Sequence, residues 1–561
     1  MSLRNTTPLA FSPVTACDAL DSTDIPSGAM QQLRNLVPDP STANLWAPRP
    51  ASVLLYDFAA HNFGSPWSSA FSSAFGPHVL ATSGFISALR VIGNQAYGMI
   101  ANPPTGTDIP FCFNLLTNSI VNISGVHVNG DNTPTSPLTT GAWTPPTMDI
   151  IGTKIIVTHP GFNTINGYFG IININNPATP AWSSGNTITN ALPAVPVAVK
   201  NFNGRAWYLV NPNTGNPGSY FSDVLVPDTI TSSSQVITYD DNVALTALGA
   251  LGVEQTQGGI LQALIVFKGV SNVYQVTGDA AATPSSTLAK NSLNIATGTL
   301  APNSVTPTPK GLAFISPDGM RIINFAAQVS PPIGDAGKGI TTPFIYTVQP
   351  TRIAACFNAD TFRASTQNGN AATSPTQDWW FDFSRESWYG PHDFPSSLIQ
   401  PYKGTFVITP TAVFAKLFQS DVSPSLSSTY IENGTQMTYT WQTSMLPDTD
   451  QMCENAMVET TLHMALSTSV PPVNVAALDQ TGAVFDTVQV SAGGTSTLWD
   501  AFNWDQSTWN LGLSVLFPRP INWHQPIVFR KLSIYANGQS DAPVQIGRLH
   551  LRYEHLGYIQ Q

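Results

Sequence analysis

The segment Lys310–Phe325, KGLAFISPDGMRIINF, carries the clearest structural signal in the chain. Two mainly apolar runs, residues 311–315 and 321–325, flank a Ser-Pro-Asp-Gly corner. In such a corner Pro presets one backbone torsion, and Gly accepts the positive φ that closes a tight turn. The segment therefore predicts a β-hairpin.

Looser versions of this hairpin recur from about Gly84 to Pro410. They share a strand, a turn with Gly or Asn, and a second strand, in residues 86–101, 148–158, 198–210, 261–276, 311–325, the pair 353–357 and 379–383, and 404–417. Each small sheet cannot bury both faces alone, so its neighbours must cover it. Radial packing does this and protects the sheet edges. We therefore predict an all-β fold built on a β-propeller of six or seven blades.

The chain is predicted to have three parts. Residues 1–50 form an N-terminal arm, residues 51–420 the β-propeller, and residues 421–561 a C-terminal β domain. The arm is expected to carry one short helix over residues 25–37, with Met30, Leu33 and Val37 on one face and Pro38 at its end.

The C-terminal part shows the alternation of an antiparallel, sandwich-like sheet. In residues 546–553 the polar Arg548, His550 and Arg552 share one face, and Leu549, Leu551 and Tyr553 share the other. Because successive strand residues point to opposite faces, this order predicts one exposed and one buried face.

Composition narrows the function classes. The chain has 561 residues, of which 42% are hydrophobic and only 10% charged, and its net charge is −11. A typical domain has about 25% charged residues, so this surface suits a part that neighbours largely cover, or a rigid structural protein that faces the outside. The negative charge argues against a protein that grips nucleic-acid phosphates, although it suits a wall that DNA slides past.

The four cysteines predict no metal site. Cys17, Cys112, Cys356 and Cys453 are widely spaced and form no CxxC pair, so reduced, mostly buried thiols are the expected state, with disulfides left open. The N-terminus has no apolar segment of signal-peptide length, and no run of about 18 apolar residues occurs. We therefore expect synthesis in a cytoplasm and no membrane-spanning helix.

No catalytic, cofactor or metal site is predicted. The nine histidines form neither HxH nor HExxH, a GxSxG motif is missing, and residues 334–339 fail the phosphate-loop pattern. Carboxylates and aromatic residues do cluster, in one group at Asp378, Asp382, Glu386 and Asp393 and in another at Asp500, Asp505, Trp499, Trp504 and Trp509. A glycosidase uses two carboxylates in an aromatic-lined cleft. The simpler interpretation is core packing, in which Trp379, Phe381 and Phe383 point inward and Asp382 points outward.

Five segments resemble the tail nozzle or hub (tail tubular) proteins of short-tailed bacteriophages. They are DIPSGAMQQLRNLVPDP with the following RP, residues 203–230, residues 265–279, GLAFISPDGMRIINF with its trailing VSPPIGD, and DWWFDFSRESWYG at 378–390. The resemblance implies a structural virion protein in the tail, made in the bacterial host cytoplasm. It also implies a homo-hexameric ring that retains the genome and conducts it during ejection. The channel would run between subunits along the ring axis.

The same resemblance implies partners: a portal-adaptor protein, tail fibres or spikes, and genomic DNA that passes without sequence-specific binding. Blade loops and the C-terminal domain are expected to dock fibres or the host cell surface. Two alternatives stay open. One is a receptor- or glycan-binding tail protein that uses the tryptophan-rich segment, and the other is a glycan hydrolase that depends on Asp382 or Asp505.

Overall fold

The computed structural model describes most of the chain in separate ranges. They are residues 6–11, 15–16, 29–39, 45–58, 85–101, 107–126, 132–135, 145–163, 167–185, 192–254, 260–278, 288–293, 295–334, 353–366, 377–410, 415–422, 430–432, 434–447, 453–466, 471–491, 517–540 and 544–558.

The described residues are all-β. Apart from a 3₁₀ turn at Pro302–Ser304, every regular element in them is a strand. The first strands are β1 (Thr6–Phe11), β2 (Thr15–Ala16), β3 (Ala29–Arg34), β4 (Leu36–Pro38), β5 (Trp46–Pro48) and β6 (Val53–Asp57). No helix in this part of the chain is long and apolar enough to cross a membrane.

Within the described ranges, the central part of the chain contributes twenty-six strands. They are β7 (Phe85–Ile92), β8 (Gln95–Ala101), β9 (Ile109–Asn114), β10 (Ser119–Val121), β11 (Thr147–Ile151), β12 (Lys154–Thr158), β13 (Gly170–Asn173), β14 (Ala181–Ser184), β15 (Ala198–Phe202), β16 (Arg205–Val210), β17 (Gly218–Phe221), β18 (Val236–Thr238), β19 (Ala247–Glu254), β20 (Ile260–Lys268), β21 (Asn272–Thr277), β22 (Ala289–Ser292), β23 (Thr306–Thr308), β24 (Gly311–Ser316), β25 (Gly319–Ile323), β26 (Ala354–Asn358), β27 (Thr361–Thr366), β28 (Gln377–Asp382), β29 (Ser387–His392), β30 (Leu398–Tyr402), β31 (Thr405–Thr409) and β32 (Lys416–Asp421).

The C-terminal part completes the set of described strands. They are β33 (Ile431–Glu432), β34 (Thr435–Thr443), β35 (Cys453–Leu466), β36 (Val473–Leu478), β37 (Val484–Val490), β38 (Phe517–Pro520), β39 (Val528–Phe529), β40 (Ser533–Ser540) and β41 (Val544–Tyr558).

The strands β7–β32 form small antiparallel sheets in a propeller-like arrangement. Within the described ranges there are seven such sheets, six with four strands and one, β23–β25, with three. The first strands of the sheets are β7, β11, β15, β19, β23, β26 and β30. Each contacts the first strand of the next sheet, and β30 contacts β7, so these strands form a closed cycle. The last sheet gains its fourth strand, β6, from the segment that precedes the first sheet.

The hairpin turns follow the sequence signals. Ser316 pairs with Gly319 across the Pro-Asp corner, and Gly319 has a φ of 129°. Asn203 and Gly204, with φ of 51° and 70°, close the β15–β16 hairpin. One predicted pairing is wrong. Residues 353–357 and 379–383 lie in one sheet but are not neighbours, because β27 lies between them.

The predicted helix over residues 25–37 is also wrong over residues 29–37, and residues 25–28 lie outside the described ranges. Residues 29–34 form β3, which pairs with β34, and Asn35, with a φ of 55°, turns the chain into β4. The three-residue spacing of Met30 and Leu33 resembles a helical period. In the structure a register shift between Met30 and Gln32 produces it, since the extra residue of a bulge returns both side chains to the buried side.

The remaining strands form two larger sheets. One contains β4, β5, β41 and β35 side by side in this order, and the other contains β3, β34 and β40 in this order. N-terminal strands therefore share both sheets with C-terminal strands. In β41 the predicted alternation is confirmed: Leu549, Leu551 and Tyr553 are buried, whereas Arg548, His550 and Arg552 are exposed.

Candidate functional site

A cavity of about 280 Å³ lies within the cycle of first strands. Each of the seven first strands contributes lining residues, among them Arg90, Lys200, Thr306 and Gln400. We call this space the axial cavity. Its position follows from the fold, because small sheets packed side by side converge at their first strands and leave a gap on the axis.

The charged groups of the axial cavity meet at Asp149. Arg90 Nη2 lies 3.1 Å from Asp149 Oδ1, and Lys200 Nζ lies 3.2 Å from Asp149 Oδ2. Arg90 lies on β7, Asp149 on β11 and Lys200 on β15, so the two ion pairs join three neighbouring sheets. The backbone amide of Asn201 also donates to Asp149 Oδ2 at 2.8 Å, and the side-chain Nδ2 of Asn201 donates to the carbonyl of Ile150.

Asp149 is the ionised partner in this cluster. Burial by itself favours the neutral acid, but Lys200, Arg90 and the amides of Asn201 and Ile150 outweigh it and hold the pKa of Asp149 below its ordinary value. The nearby Cys356 thiol is neutral, because burial raises its pKa to about 12. Burial likewise raises the pKa of Cys112 to about 12, and both thiols are free.

A second polar cluster joins the small sheets to the two larger ones. It comprises Arg34, Asn35, Arg49, Arg363, Asp378, His392, Asp393 and Glu432, and we call it the charged seam. Asn35 is at its centre. Its backbone amide donates to His392 Nδ1, and its side-chain Nδ2 donates to Asp393 Oδ2 and to the carbonyl of Thr438. Its side-chain oxygen accepts from Arg49 Nε and from the amide of Asp393.

The charged seam contains two buried ion pairs. Arg49 donates to Glu432 from Nη1 at 2.9 Å and from Nη2 at 2.6 Å, and its side chain is 0% exposed. Arg363 binds Asp378 at 3.0 and 3.1 Å, with both side chains 0% exposed. Because a buried charge is costly without its partner, each pair fixes the elements that carry it.

His392 lies among these cations as a neutral ring. Burial and the charges of Arg49, Arg363 and Arg34 place its pKa well below the ordinary value. Its Nδ1 accepts a hydrogen bond from the backbone nitrogen of Asn35, 3.0 Å away, an arrangement that only an unprotonated Nδ1 allows.

The first acidic-aromatic group serves packing in this structure. Trp379, Phe381 and Phe383 are buried, as the simpler interpretation predicts. Asp378 accepts hydrogen bonds from Ser365 and from the Trp380 indole in addition to Arg363.

The expectation that Asp382 points outward is wrong. Its side chain is buried, because it accepts from the amides of Ser384 and Arg385 and pairs with the Arg385 guanidinium, which closes the turn after β28. Burial by itself would raise the pKa of Asp382. The hydrogen bonds from Ser384 and Arg385 together have the larger effect and lower the pKa below its ordinary value, so the carboxylate is ionised.

The other sequence candidates divide between surface contacts and undescribed positions. Glu386 pairs with Lys310 at 2.6 Å on the surface, and Asp393 joins the charged seam. His550 stands 4.9 Å from His463, centroid to centroid. No group of three metal-ligating residues occurs in the parts of the chain that the structure describes. Asp500, Asp505, Trp499, Trp504, Trp509, Cys17 and most of residues 334–339 lie outside those parts.

Sequence reasoning did not find Asn35, Arg49, Arg90 or Asp149. Asn35 follows Arg34 in the segment taken as helical, although Asn is one of the few residues that tolerate a positive φ. Arg90 and Asp149 are 59 residues apart and come together only when β7 and β11 become neighbours.

The comparisons give distant structural similarities. Neither a family model nor a curated protein sequence matches the chain. Solved structures that resemble it include a puromycin-hydrolysing peptidase of Mycobacterium tuberculosis, at 9% identity and a TM-score of 0.38 over 67% of this chain and 60% of that one. The Dos1 propeller is similar at 9% identity and a TM-score of 0.31, over 58% of this chain and 74% of that one. The computationally designed Ika8 protein matches at 8% identity and a TM-score of 0.33, over 60% of this chain and 96% of its own. At such scores the similarities carry no argument about function.

Proposed function

We propose that this chain is a structural subunit of the tail of a short-tailed bacteriophage, forming a homo-hexameric nozzle around the DNA channel. It retains the genome and conducts it during ejection. Its partners are a portal-adaptor protein and tail fibres or spikes, and the host cell surface is a further contact. DNA passes without sequence-specific binding, and the protein has no enzymatic activity.

The proposed architecture is a seven-bladed β-propeller over residues 51–420, with β6 closing the last blade. The second domain is a sandwich-like pair of sheets to which residues 1–50 and 421–561 both contribute. The closed cycle of seven first strands supports the blade number. Shared sheets between N-terminal and C-terminal strands support the second domain.

The charged seam is the observation that carries the structural role. Asn35 and Arg49 come from the N-terminal segment, His392 and Asp393 from a small sheet, and Glu432 from β33. These bonds join the propeller-like part to the larger sheets, which supports a ring subunit whose parts keep one orientation. Asp378 and Asp382 are already engaged in internal contacts, which disfavours their use in hydrolysis.

An exposed apolar loop supports contact between subunits. Val224, Leu225 and Val226 are consecutive and are 52%, 61% and 41% exposed. Contiguous exposed apolar surface is a feature of protein interaction sites. We assign this loop to the contact with the next copy of the chain. The net charge of −11 supports a duct wall that repels phosphates.

Electron microscopy with mass determination tests the proposal, on the purified protein alone and mixed with its neighbouring virion proteins. We expect six-fold rings with a central hole wide enough for duplex DNA. Monomers or trimers in every mixture would refute the nozzle.

A matched pair of variants tests the loop. Leu225→Ser should weaken ring formation, whereas Leu116→Ser, at a residue that is 62% exposed on another turn, should not. Equal ring yields from both variants would remove the loop from the subunit contact.

A further inference from the structure

We propose that the axial cavity binds a small oxyanion, a carboxylate or a phosphate, between Arg90 and Lys200. This goes beyond the proposed function, because the DNA channel would run between subunits and not through this cavity.

The first argument is charge. Arg90 and Lys200 are the cations among the residues that line the cavity, and none of those residues is acidic. Both cations contact one carboxylate, Asp149, which lies behind them. Two positive charges and one negative charge leave a surplus of one positive charge at this point of the wall. Inside a protein such a surplus attracts an anion more strongly than it does in water.

The second argument is the number of donors. A guanidinium offers five N–H groups, and Arg90 uses Nη2 on Asp149. Its Nε is buried and has no hydrogen-bond partner. Because Nε has no accessible surface, the ligand would bind the terminal N–H groups that Asp149 does not occupy and the Lys200 ammonium. Carboxylate and phosphate oxygens are the acceptors that match the guanidinium geometry.

The third argument is access and size. The side chains of Arg90 and Lys200 are 32% and 26% exposed, so both cations can be reached from the cavity. Thr306 and Gln400 add polar groups, and Leu248, Phe357 and Ile399 form apolar wall. A volume of about 280 Å³ is at the lower end of ligand pockets and restricts the ligand to a small molecule.

Isothermal titration of the full-length protein with sodium phosphate and with sodium acetate tests the proposal, at constant low ionic strength in a chloride buffer. We expect saturable binding of at least one of the two anions, and which one binds identifies the oxyanion. Lys200→Gln should lower the association constant at least tenfold. Lys154→Gln is the matched control: Lys154 is 29% exposed and pairs with Asp228 away from the cavity, so its loss should change binding less than twofold.

Asp149→Asn separates ligand binding from a merely structural effect. This variant removes the negative charge behind the two cations. It should therefore raise the affinity for the anion, whereas Lys200→Gln should lower it. If Asp149→Asn does not fold, the comparison of Lys200→Gln with Lys154→Gln still decides. Absence of saturable binding for both anions, or equal affinities in the wild type and Lys200→Gln, would overturn the proposal. Ring formation is measured separately, so this failure is distinguishable from failure of the nozzle.

Discussion

Replacement of Glu432 by Gln should strongly destabilise the protein. Glu432 accepts hydrogen bonds from Nη1 and Nη2 of Arg49 and from the backbone amide of Ser52. Gln keeps the size of the side chain but removes its charge and one of its acceptor oxygens. Arg49, whose side chain is 0% exposed, is then left as a buried cation without a counter-ion. Breaking a buried ion pair in this way costs about 3–5 kcal/mol.

Glu386→Gln is the control, since it makes the same chemical change in an exposed pair. Lys310 and Glu386 are each 50% exposed, and such pairs are worth about 0–1 kcal/mol. The assay is urea unfolding, followed by tryptophan fluorescence and by circular dichroism so that coincident transitions justify a two-state free energy. If Glu432→Gln lowers the free energy of unfolding by no more than about 1 kcal/mol beyond the effect of Glu386→Gln, the argument is refuted, since surface ion pairs contribute up to about 1 kcal/mol.

The same pair provides a pH test. Burial favours the neutral form of Glu432, but Arg49 and Ser52 reverse this and lower its pKa below the ordinary 4.5. A lowered folded pKa means that this stabilisation is present above about pH 4.5 and is lost as the pH falls through the folded value. The difference in the free energy of unfolding between wild type and Glu432→Gln should therefore become smaller at acidic pH. A difference that stays constant would contradict the assignment of the charge.

Two further predictions concern His392 and Gly311. Because the pKa of His392 lies well below the ordinary 6.5, the unfolded chain takes up its proton first, and stability should fall as the pH drops below about 6.5. His392→Gln should reduce the pH dependence of the urea midpoint between pH 7.5 and 5.5, and an identical pH dependence in wild type and His392→Gln would exclude His392 as the source. Gly311 has a φ of 133°, and a Cβ there would lie 2.1 Å from the carbonyl oxygen of Ile323, whereas Gly404 has a φ of 76° with nothing within 4 Å. Gly311→Ala should therefore lower the free energy of unfolding by about 1–3 kcal/mol more than Gly404→Ala does, measured by urea unfolding. Equal losses in the two variants would show that the backbone relaxes at residue 311.

Much of the local structure was predictable because its signals are local. The Pro-Asp-Gly corner and Asn203-Gly204 identify their hairpins through turn residues that accept the required torsions. The alternation in β41 identifies its buried face, since neighbouring strand residues point to opposite sides. The helix prediction at residues 25–37 was wrong because a bulge in β3 gives Met30 and Leu33 a helix-like spacing, and a bulge depends on the partner strand β34.

The candidate sites were less predictable, because their residues come from distant parts of the sequence. Asp378 and Asp382 were recognised as carboxylates beside aromatic residues. Their engagement with Arg363 and Arg385 became evident only in the folded sheet. The axial cavity has no local motif, since each first strand contributes only a few lining residues.

The sequence by itself determined that the chain forms short strands joined by tight turns, because turn chemistry and alternation act over a few residues. Tertiary structure decided which strands become neighbours. It paired β6 with β32 to complete the last small sheet, and it placed Asn35 between His392 and Asp393. It also brought Arg90 and Lys200 to one carboxylate. These contacts depend on how the sheets pack, and packing is a property of the whole chain rather than of any single segment.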